Sequence, residues 1–348
     1  MIYICPRTAI DRPKHCGRLP KNAPRLNDLT IYYMTNHLEC VTAQKSQWYW
    51  YLLVIFICFM AWQTVGMAPL LVILISHWIQ NPKQLTNMSS FSQEEMMSGI
   101  DSNLLLVGLT FSFVVFLATA IWIIKTFHGR SWTEVINGTK RVRWSRFFVG
   151  LALWGALVIV SFVISYMTDP DNFEFRFDPV RFILLTIISL TMLPIQSSCE
   201  EFVFRGYLAQ GVASWTGSRL WALLIPSVLF ALLHSANPEV AKYGFGVMMA
   251  NYFLIGLTFG LISLLDDGIE LAMGAHSINN ILGSILMTYE GSALRTDALF
   301  KAKIINPGED LFIAVISSIV FIGILAFIYK WKFGILTRRV PPPSPVLS

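Results

Sequence analysis

Long apolar runs separated by short polar segments dominate the chain. A helix needs about 20 apolar residues to cross the hydrocarbon core of a bilayer, and eight runs approach or exceed that length: 49–78, 103–125, 147–167, 180–197, 220–236, 240–265, 271–289 and 311–330. None of them alternates apolar and polar residues as barrel strands do, and backbone groups cannot stay unpaired in lipid. The pattern therefore predicts an all-α fold, a polytopic membrane bundle of about eight transmembrane helices.

The composition supports a membrane location. Of the 348 residues, 55% are hydrophobic and only 14% are charged, whereas soluble globular chains carry about 25% charged residues. The chain has too little polar surface to cover itself in water, so the lipid bilayer is its expected partner. The net charge of +5 is modest and resides in particular loops, which argues against nucleic acid as a partner.

Charge placement predicts the orientation and the organisation of the chain. Both ends and the loop after the second run are basic, whereas the loops of opposite parity are acidic. The positive-inside rule therefore puts both termini in the cytoplasm. The expected parts are a cytoplasmic N-terminal tail, a transmembrane domain with a catalytic core, and a cytoplasmic C-terminal tail: 1–47, 48–335 with its core at about 180–290, and 336–348. No secretory signal is evident, and a bacterial plasma membrane is the favoured location.

Ionisable residues follow the fourth apolar run. A charged residue at the centre of a membrane helix costs about 2.5–3.5 kcal/mol on insertion scales, yet Glu200, Glu201 and Arg205 fall within six residues. Glu201 and Arg205 are spaced i, i+4, so they can pair on a helix, while Glu200 points about 100° away. One carboxylate would be neutralised and the other left to face a cavity as a general base. The alternative is a helix end at the interface with solvated charges.

Two further polar segments lie in apolar surroundings. His234 ends an apolar run, with Phe230 one turn earlier; a hydrogen-bonded interior histidine is the plainer interpretation. His276 and Asn280 are spaced i, i+4 and share one helix face, and interhelical hydrogen bonding would also explain them. The remaining histidines are expected at the surface or the interface: His15, His37, His77 and His128.

These groups suggest one chemistry if they converge. Glu200, His234, His276 and Asn280 come from three separate apolar runs. A carboxylate, two imidazoles and an amide provide what peptide hydrolysis needs: a base to activate water and donors or a metal to stabilise the oxyanion. Simple counting from Arg219 places His234 toward the opposite face of the membrane, which stands against convergence unless helices are broken or staggered.

The three motifs together resemble a known family. Glu-Glu-x-x-x-Arg, Phe-x-x-x-His and His-x-x-x-Asn on successive apolar helices are similar to the motifs of the CPBP family, the CAAX-protease or ABI intramembrane proteases. The resemblance implies that Glu200 activates water, with Glu201 and Arg205 in support. It implies that His234 contacts water or metal, and that His276 and Asn280 bind metal or polarise the scissile carbonyl.

The cofactor stays open at this point. A divalent metal such as zinc would take the tentative ligands Glu200, His234 and His276, but no HExxH segment is present to fix a zincin-type geometry. The resemblance does not decide between a metalloprotease and a metal-free, glutamate-dependent enzyme.

The favoured function is an intramembrane endopeptidase that cuts a membrane-associated protein or peptide. The alternative is a non-enzymatic membrane scaffold or bacteriocin-immunity-type protein that retains the fold without using the site. A transporter, in which buried carboxylates and histidines relay protons, is disfavoured because the two halves show no matching pair of broken half-helices.

Overall fold

The computed structural model describes residues 37–41, 45–82 and 97–343. Most of the N-terminal tail, including His15 and nearly all of its basic residues, lies outside the described residues, as does the acidic pair Glu94 and Glu95. The orientation predicted from loop charges stays a prediction.

The described chain is a helical bundle. Its helices are, in order, α1 Trp48–Ala61, α2 Ala68–Gln80, α3 Ser102–His128, α4 Trp132–Asn137, α5 Trp144–Thr168, α6 Pro179–Glu201, α7 Ala209–Thr216, α8 Arg219–Leu233, α9 Pro238–Tyr243, α10 Phe245–Leu265, α11 Glu270–Ile285 and α12 Pro307–Tyr329. Short π-helical segments join α1 to α2 and α6 to α7, at Trp62–Gly66 and Phe202–Leu208, and 3₁₀ turns occupy Pro170–Asn172 and Phe333–Thr337.

A small sheet accompanies the bundle. Strands β1 (Phe173–Phe175), β2 (Met287–Tyr289) and β3 (Phe300–Ala302) pair in the order β1-β3-β2, with β1 antiparallel and β2 parallel to β3. They lie in the connections between α5 and α6 and between α11 and α12, so the sheet joins four helix ends. The sequence did not predict it, because three-residue strands leave no periodicity to detect.

The number of membrane-spanning helices differs from the prediction. Within the described residues, six helical stretches are long and apolar enough to cross a bilayer: Trp48–Gln80, Ser102–His128, Trp144–Thr168, Pro179–Thr216, Phe245–Leu265 and Pro307–Tyr329. The predicted count of eight is not confirmed, because α8 has 15 residues and α11 has 16, short of the usual span. The predicted run 240–265 is also divided at Gly244, whose φ of 105° ends α9 before α10 begins.

The helix that carries the glutamate pair is longer than predicted. The predicted run ended at 197, but α6 continues through Pro194 into the π segment and α7, giving one stretch of 38 residues. Glu200 and Glu201 therefore lie at the junction of α6 and the π segment, in the interior of a long helix. Single π turns inside helices frequently occur at functional sites.

Close glycine contacts fix α11 against α5. A Cβ atom at Gly274 would lie 1.9 Å from the Phe147 carbonyl oxygen, and one at Gly150 would lie 2.2 Å from that of Leu271. The two backbones therefore touch, as small residues allow in membrane bundles. Gly274 precedes His276 by two residues, so this contact sets the position of the histidine.

The segments that flank the bundle pack against it. Leu38 and Val340 are buried in one apolar cluster with Phe204 and Leu208 of the π segment, and Arg339 forms a β-bridge with Ser218. Parts of both predicted tails are thus folded onto the bundle at the turn between α7 and α8.

Candidate active site

Glu201 and Arg205 form a buried ion pair at the centre of the bundle. The Arg205 Nη1 atom lies 3.0 Å from Glu201 Oε1, and the side chains are 2% and 0% exposed. Arg205 Nη2 also donates to the Gly256 carbonyl of α10, at 3.1 Å. The i, i+4 pairing expected from the sequence is present. A buried charge requires such a partner, so the glutamate charge is balanced before any substrate arrives.

His276 is held between two carboxylates. Its Nδ1 atom lies 2.7 Å from Glu201 Oε1, and its Nε2 atom lies 3.6 Å from Glu200 Oε2. Among the described residues, this Glu200 oxygen is buried without a hydrogen-bond partner. Because Nδ1 donates to the glutamate that Arg205 neutralises, the ring is oriented with Nε2 toward Glu200. Of the two carboxylates, Glu201 is the one paired with Arg205, and the role of Glu200 as a free general base stays a prediction.

A chain of amides orients Glu200. Gln196 Nε2 donates to Glu200 Oε1 at 2.5 Å, and Asn280 Nδ2 donates to Gln196 Oε1 at 2.9 Å and to Ser197 Oγ at 3.3 Å. Asn280 thus reaches Glu200 through Gln196. Sequence reasoning missed Gln196, although its i, i+4 spacing from Glu200 inside an apolar helix was an available signal.

His234 lies beside this group, across the ring of Phe230. Phe230 is 4.5 Å from His234 and 6.1 Å from His276, between ring centroids, and the Arg205 guanidinium is 4.3 Å from the centre of the Phe230 ring. His234 Nδ1 donates to the Phe230 carbonyl at 2.7 Å, which leaves Nε2 as the ring nitrogen for water or substrate.

The short length of α8 explains how His234 reaches this depth. His234 lies 15 residues after Arg219, and Glu201 lies as many residues before Thr216, with only a two-residue turn between the helices. Antiparallel neighbours joined in this way bring the two residues to the same level. The expectation that His234 would fall at the opposite face assumed a full-length span.

The tentative metal ligands do not form a three-ligand group. Glu200 and His276 face each other, but the described residues contain no group of three His, Cys, Asp or Glu side chains suited to a metal ion. A zinc requirement stays a prediction for direct measurement.

The expectation for two other histidines was wrong. His37 and His128 are 1% and 3% exposed, although both were expected at the surface or interface. His37 Nε2 donates to the Arg205 carbonyl at 2.9 Å, and His128 lies 2.7 Å from the Tyr207 hydroxyl. Both flank apolar runs, and residues 37–41 and α4 fold back over the bundle there. His77 is half-buried.

Comparison with known proteins identifies the family. The family model described as type II CAAX prenyl endopeptidase Rce1-like matches residues 179–282, a range that contains every residue of the three motifs. The Bacillus subtilis (strain 168) protein called uncharacterized protein YyaK is 30% identical over 232 residues, which is 65% of this chain and 77% of that protein. The chain belongs to the Rce1-like family. No solved structure matches it.

Membership confirms the resemblance found in the motifs. The Rce1-like chain is an integral membrane protein of a CAAX-type intramembrane protease family. Its matched region begins at the start of α6 and ends within α11, so it comprises the helices that carry the motifs.

In the Rce1-like chain, a network of ion pairs holds the start of α11, the helix that carries His276. Glu270, the fully buried first residue of α11, lies 2.6 Å from Arg143 Nη2, and Asn137 also donates to it. Arg143 and Arg146 each lie 3.3 Å from Asp266. Burial raises the pKa of Asp266 to about 6, against the effect of the two arginines. The network fixes α11 at its first turn, one and a half turns before His276.

Proposed function

We propose that this Rce1-like protein hydrolyses a peptide bond in a membrane-associated protein or peptide, with water activated between Glu200 and His276. The observation that carries the proposal is the position of His276 between Glu200 and Glu201. Arg205 pairs with Glu201, and Glu200, whose Oε2 atom lies 3.6 Å from His276 Nε2, is the carboxylate that we assign to proton transfer.

Each residue has a distinct part in this mechanism. Glu200 takes a proton from water, the oxygen of that water attacks the scissile carbonyl carbon, and the carbonyl electron pair moves to its oxygen. When the carbon–nitrogen bond breaks, the proton held by Glu200 passes to the leaving nitrogen, with His276 Nε2 close enough to relay it. Glu201 acts through His276, which it orients, and Asn280 acts through Gln196.

His234 supplies a second polar contact. Its Nε2 atom is the ring nitrogen left available once Nδ1 has donated to the Phe230 carbonyl. We assign it to contact with the attacking water or the scissile carbonyl.

A cleavage assay with purified full-length protein in lipid vesicles tests the proposal, using a library of membrane-associated peptides. Glu200→Gln should lower kcat by about 100-fold or more, because general acid–base catalysis contributes that much. Glu290→Gln is the matched control: its carboxylate is exposed and pairs with Lys242, so cleavage should be unchanged. Equal cleavage by wild type and Glu200→Gln would overturn the mechanism. Metal content measured on the same preparations decides the zinc question.

The same variants separate the enzyme from a scaffold. A bacteriocin-immunity-type scaffold would show no cleavage by the wild-type protein and would keep its cellular effect in Glu200→Gln.

We further propose a bacterial plasma membrane location with both termini cytoplasmic. The similarity to a bacterial protein and the basic loop between α3 and α5 support this placement.

A further inference from the structure

A further buried glutamate, Glu239, lies next to the site and belongs to none of the three motifs. Glu239 on α9 is 4% exposed. Its Oε1 atom accepts a 2.5 Å hydrogen bond from the Tyr252 hydroxyl, and the same hydroxyl accepts from Asn237 Nδ2 at 2.9 Å. Among the described residues, Glu239 Oε2 is buried without a hydrogen-bond partner. The Tyr252 hydroxyl is therefore fixed from two sides.

The ring of Tyr252 lies on His234. The two rings stack with centroids 4.4 Å apart and planes 30° apart, and the Phe230 ring contacts the same imidazole at 4.5 Å. With Nδ1 tied to the Phe230 carbonyl, the imidazole is constrained by two rings and one hydrogen bond. The direction of its Nε2 atom therefore depends on where the Tyr252 ring is held.

The break between α9 and α10 creates this contact. α8 ends at Leu233, α9 follows after a short turn, and Gly244 reverses the chain into α10 with a positive φ. α9 thus presents Glu239, and α10 presents Tyr252, beside the end of α8. A single uninterrupted helix over 240–265 would not allow this arrangement.

The burial of Glu239 is difficult to explain by stability. Moving a carboxylate out of water is costly unless it is paired, and no lysine, arginine or histidine forms a salt bridge with Glu239 among the described residues. A hydrophobic residue of similar size would fill the position at a lower cost in folding free energy. Residues that violate the rules of stability in this way are expected at functional sites.

We propose that Glu239 and Tyr252, with Asn237, are positioning residues that hold the His234 ring for the reaction. The inference rests on the proposed function for its catalytic consequence. Glu239 fixes the hydroxyl, the hydroxyl fixes the ring plane, and the ring plane fixes the direction of His234 Nε2.

Kinetics of conservative variants test this chain of contacts. Tyr252→Phe keeps the stacked ring and loses both hydrogen bonds, and Glu239→Gln keeps the shape and loses the carboxylate. Tyr252→Phe should lower kcat about tenfold, leave KM within twofold and lower the unfolding temperature, because buried Glu239 loses its hydroxyl donor. Glu239→Gln, whose amide oxygen can still accept from the hydroxyl, should lower kcat by a smaller factor. Tyr252→Leu, which loses the stack, should lower kcat further. Tyr243→Phe, at a half-buried position, and Glu290→Gln, at an exposed one, are matched controls and should retain wild-type kcat.

Nuclear magnetic resonance of histidine-labelled protein gives a readout without activity. The His234 ring signal, assigned by its loss in His234→Gln, should shift or broaden in Tyr252→Phe and Glu239→Gln and stay unchanged in Tyr243→Phe. An unchanged His234 signal in both variants would overturn the proposal, even if cleavage depends on Glu200. If the wild-type protein fails to cleave any peptide, the proposed function fails, and the signal still decides whether Glu239 and Tyr252 hold His234.

Discussion

The two adjacent glutamates are in different electrostatic surroundings. Glu201 is fully buried and bound to Arg205 and His276, whereas Glu200 accepts a hydrogen bond from the neutral amide of Gln196 and, among the described residues, forms no ion pair with an arginine or a lysine. Each of the two glutamates has one oxygen without a hydrogen bond within the described residues. We therefore expect Glu201 to stabilise the fold and Glu200 to take part in the reaction.

This difference predicts that the same substitution has different effects on stability at the two positions. Glu201→Gln leaves the Arg205 charge buried without its partner, which costs about 3–5 kcal/mol, and it also releases His276, so stability and cleavage should both fall. Glu200→Gln should abolish cleavage with little change in stability. Thermal unfolding in detergent, alongside the cleavage assay, measures both. Equal destabilisation by the two substitutions would contradict the assignment.

His37 predicts a dependence of stability on pH. Burial lowers its pKa from 6.5 to about 4; Arg143 and Arg219 act in the same direction, and the Arg205 carbonyl and Glu270 oppose them. Between these values the unfolded chain binds a proton that the folded chain does not, so the free energy of unfolding falls as the pH falls from 6.5 to 4. The full effect of this shift is about 3 kcal/mol.

A variant isolates this contribution from other groups. Asp266, whose pKa is raised to about 6 by burial, acts in the opposite direction over an overlapping range, because the folded state binds its proton more readily. His37→Gln removes only the histidine term. Unfolding measured at pH 7.5 and pH 5 should therefore show a smaller acid loss in His37→Gln than in the wild type, and identical losses would refute the prediction.

At the scale of elements, the crossing of α5 and α11 is the contact that places His276. Gly274→Ala puts a methyl group 1.9 Å from the Phe147 carbonyl oxygen, so the backbones must separate. We expect a loss of about 3 kcal/mol, at the upper end of overpacking costs, together with a loss of cleavage as His276 moves away from Glu201.

Gly283→Ala on the same helix is the matched control. A Cβ atom at Gly283 meets no atom within 4 Å, and alanine favours a helix over glycine by about 1 kcal/mol. This variant should be at least as stable as the wild type and should cleave normally. If both glycine variants behave alike in thermal unfolding, the close crossing is not what holds α11.

What the sequence could predict at this scale follows from the cost of charge in lipid. Glu200, His234 and His276 stood out because ionisable residues are rare in apolar runs. In the structure His276 lies beside Glu200, and the Phe230 ring contacts both histidines. Helix ends inside the protein were not predictable, because no polar residues mark the boundary between two consecutive apolar stretches. The continuation of α6 past 197, the early end of α8 and the role of Glu239 all depend on such internal boundaries.

At the scale of the whole molecule, residues 37–41, which precede the first span, are part of the folded bundle. Leu38 is 1% exposed in the cluster beneath α7 and α8, and Glu39 lies 2.6 Å from the buried Arg219 at the start of α8. His37 binds the carbonyl of Arg205, a residue of the site. The segment therefore connects the π segment to the start of α8, and both elements carry site residues.

A double-mutant cycle tests whether this connection stabilises the bundle. Glu39→Gln leaves the 3% exposed Arg219 side chain with a buried charge, and Arg219→Gln removes that charge while Glu39, which is less buried, regains water. Since residues that share a salt bridge are coupled by about 0.5–3 kcal/mol, the double variant should be more stable than the sum of the single losses predicts. Cleavage should fall in Glu39→Gln and recover in part in the double variant, because the start of α8 and the Arg205 carbonyl are held by the same five residues. Additive losses in stability would mean that the segment covers the bundle without holding it.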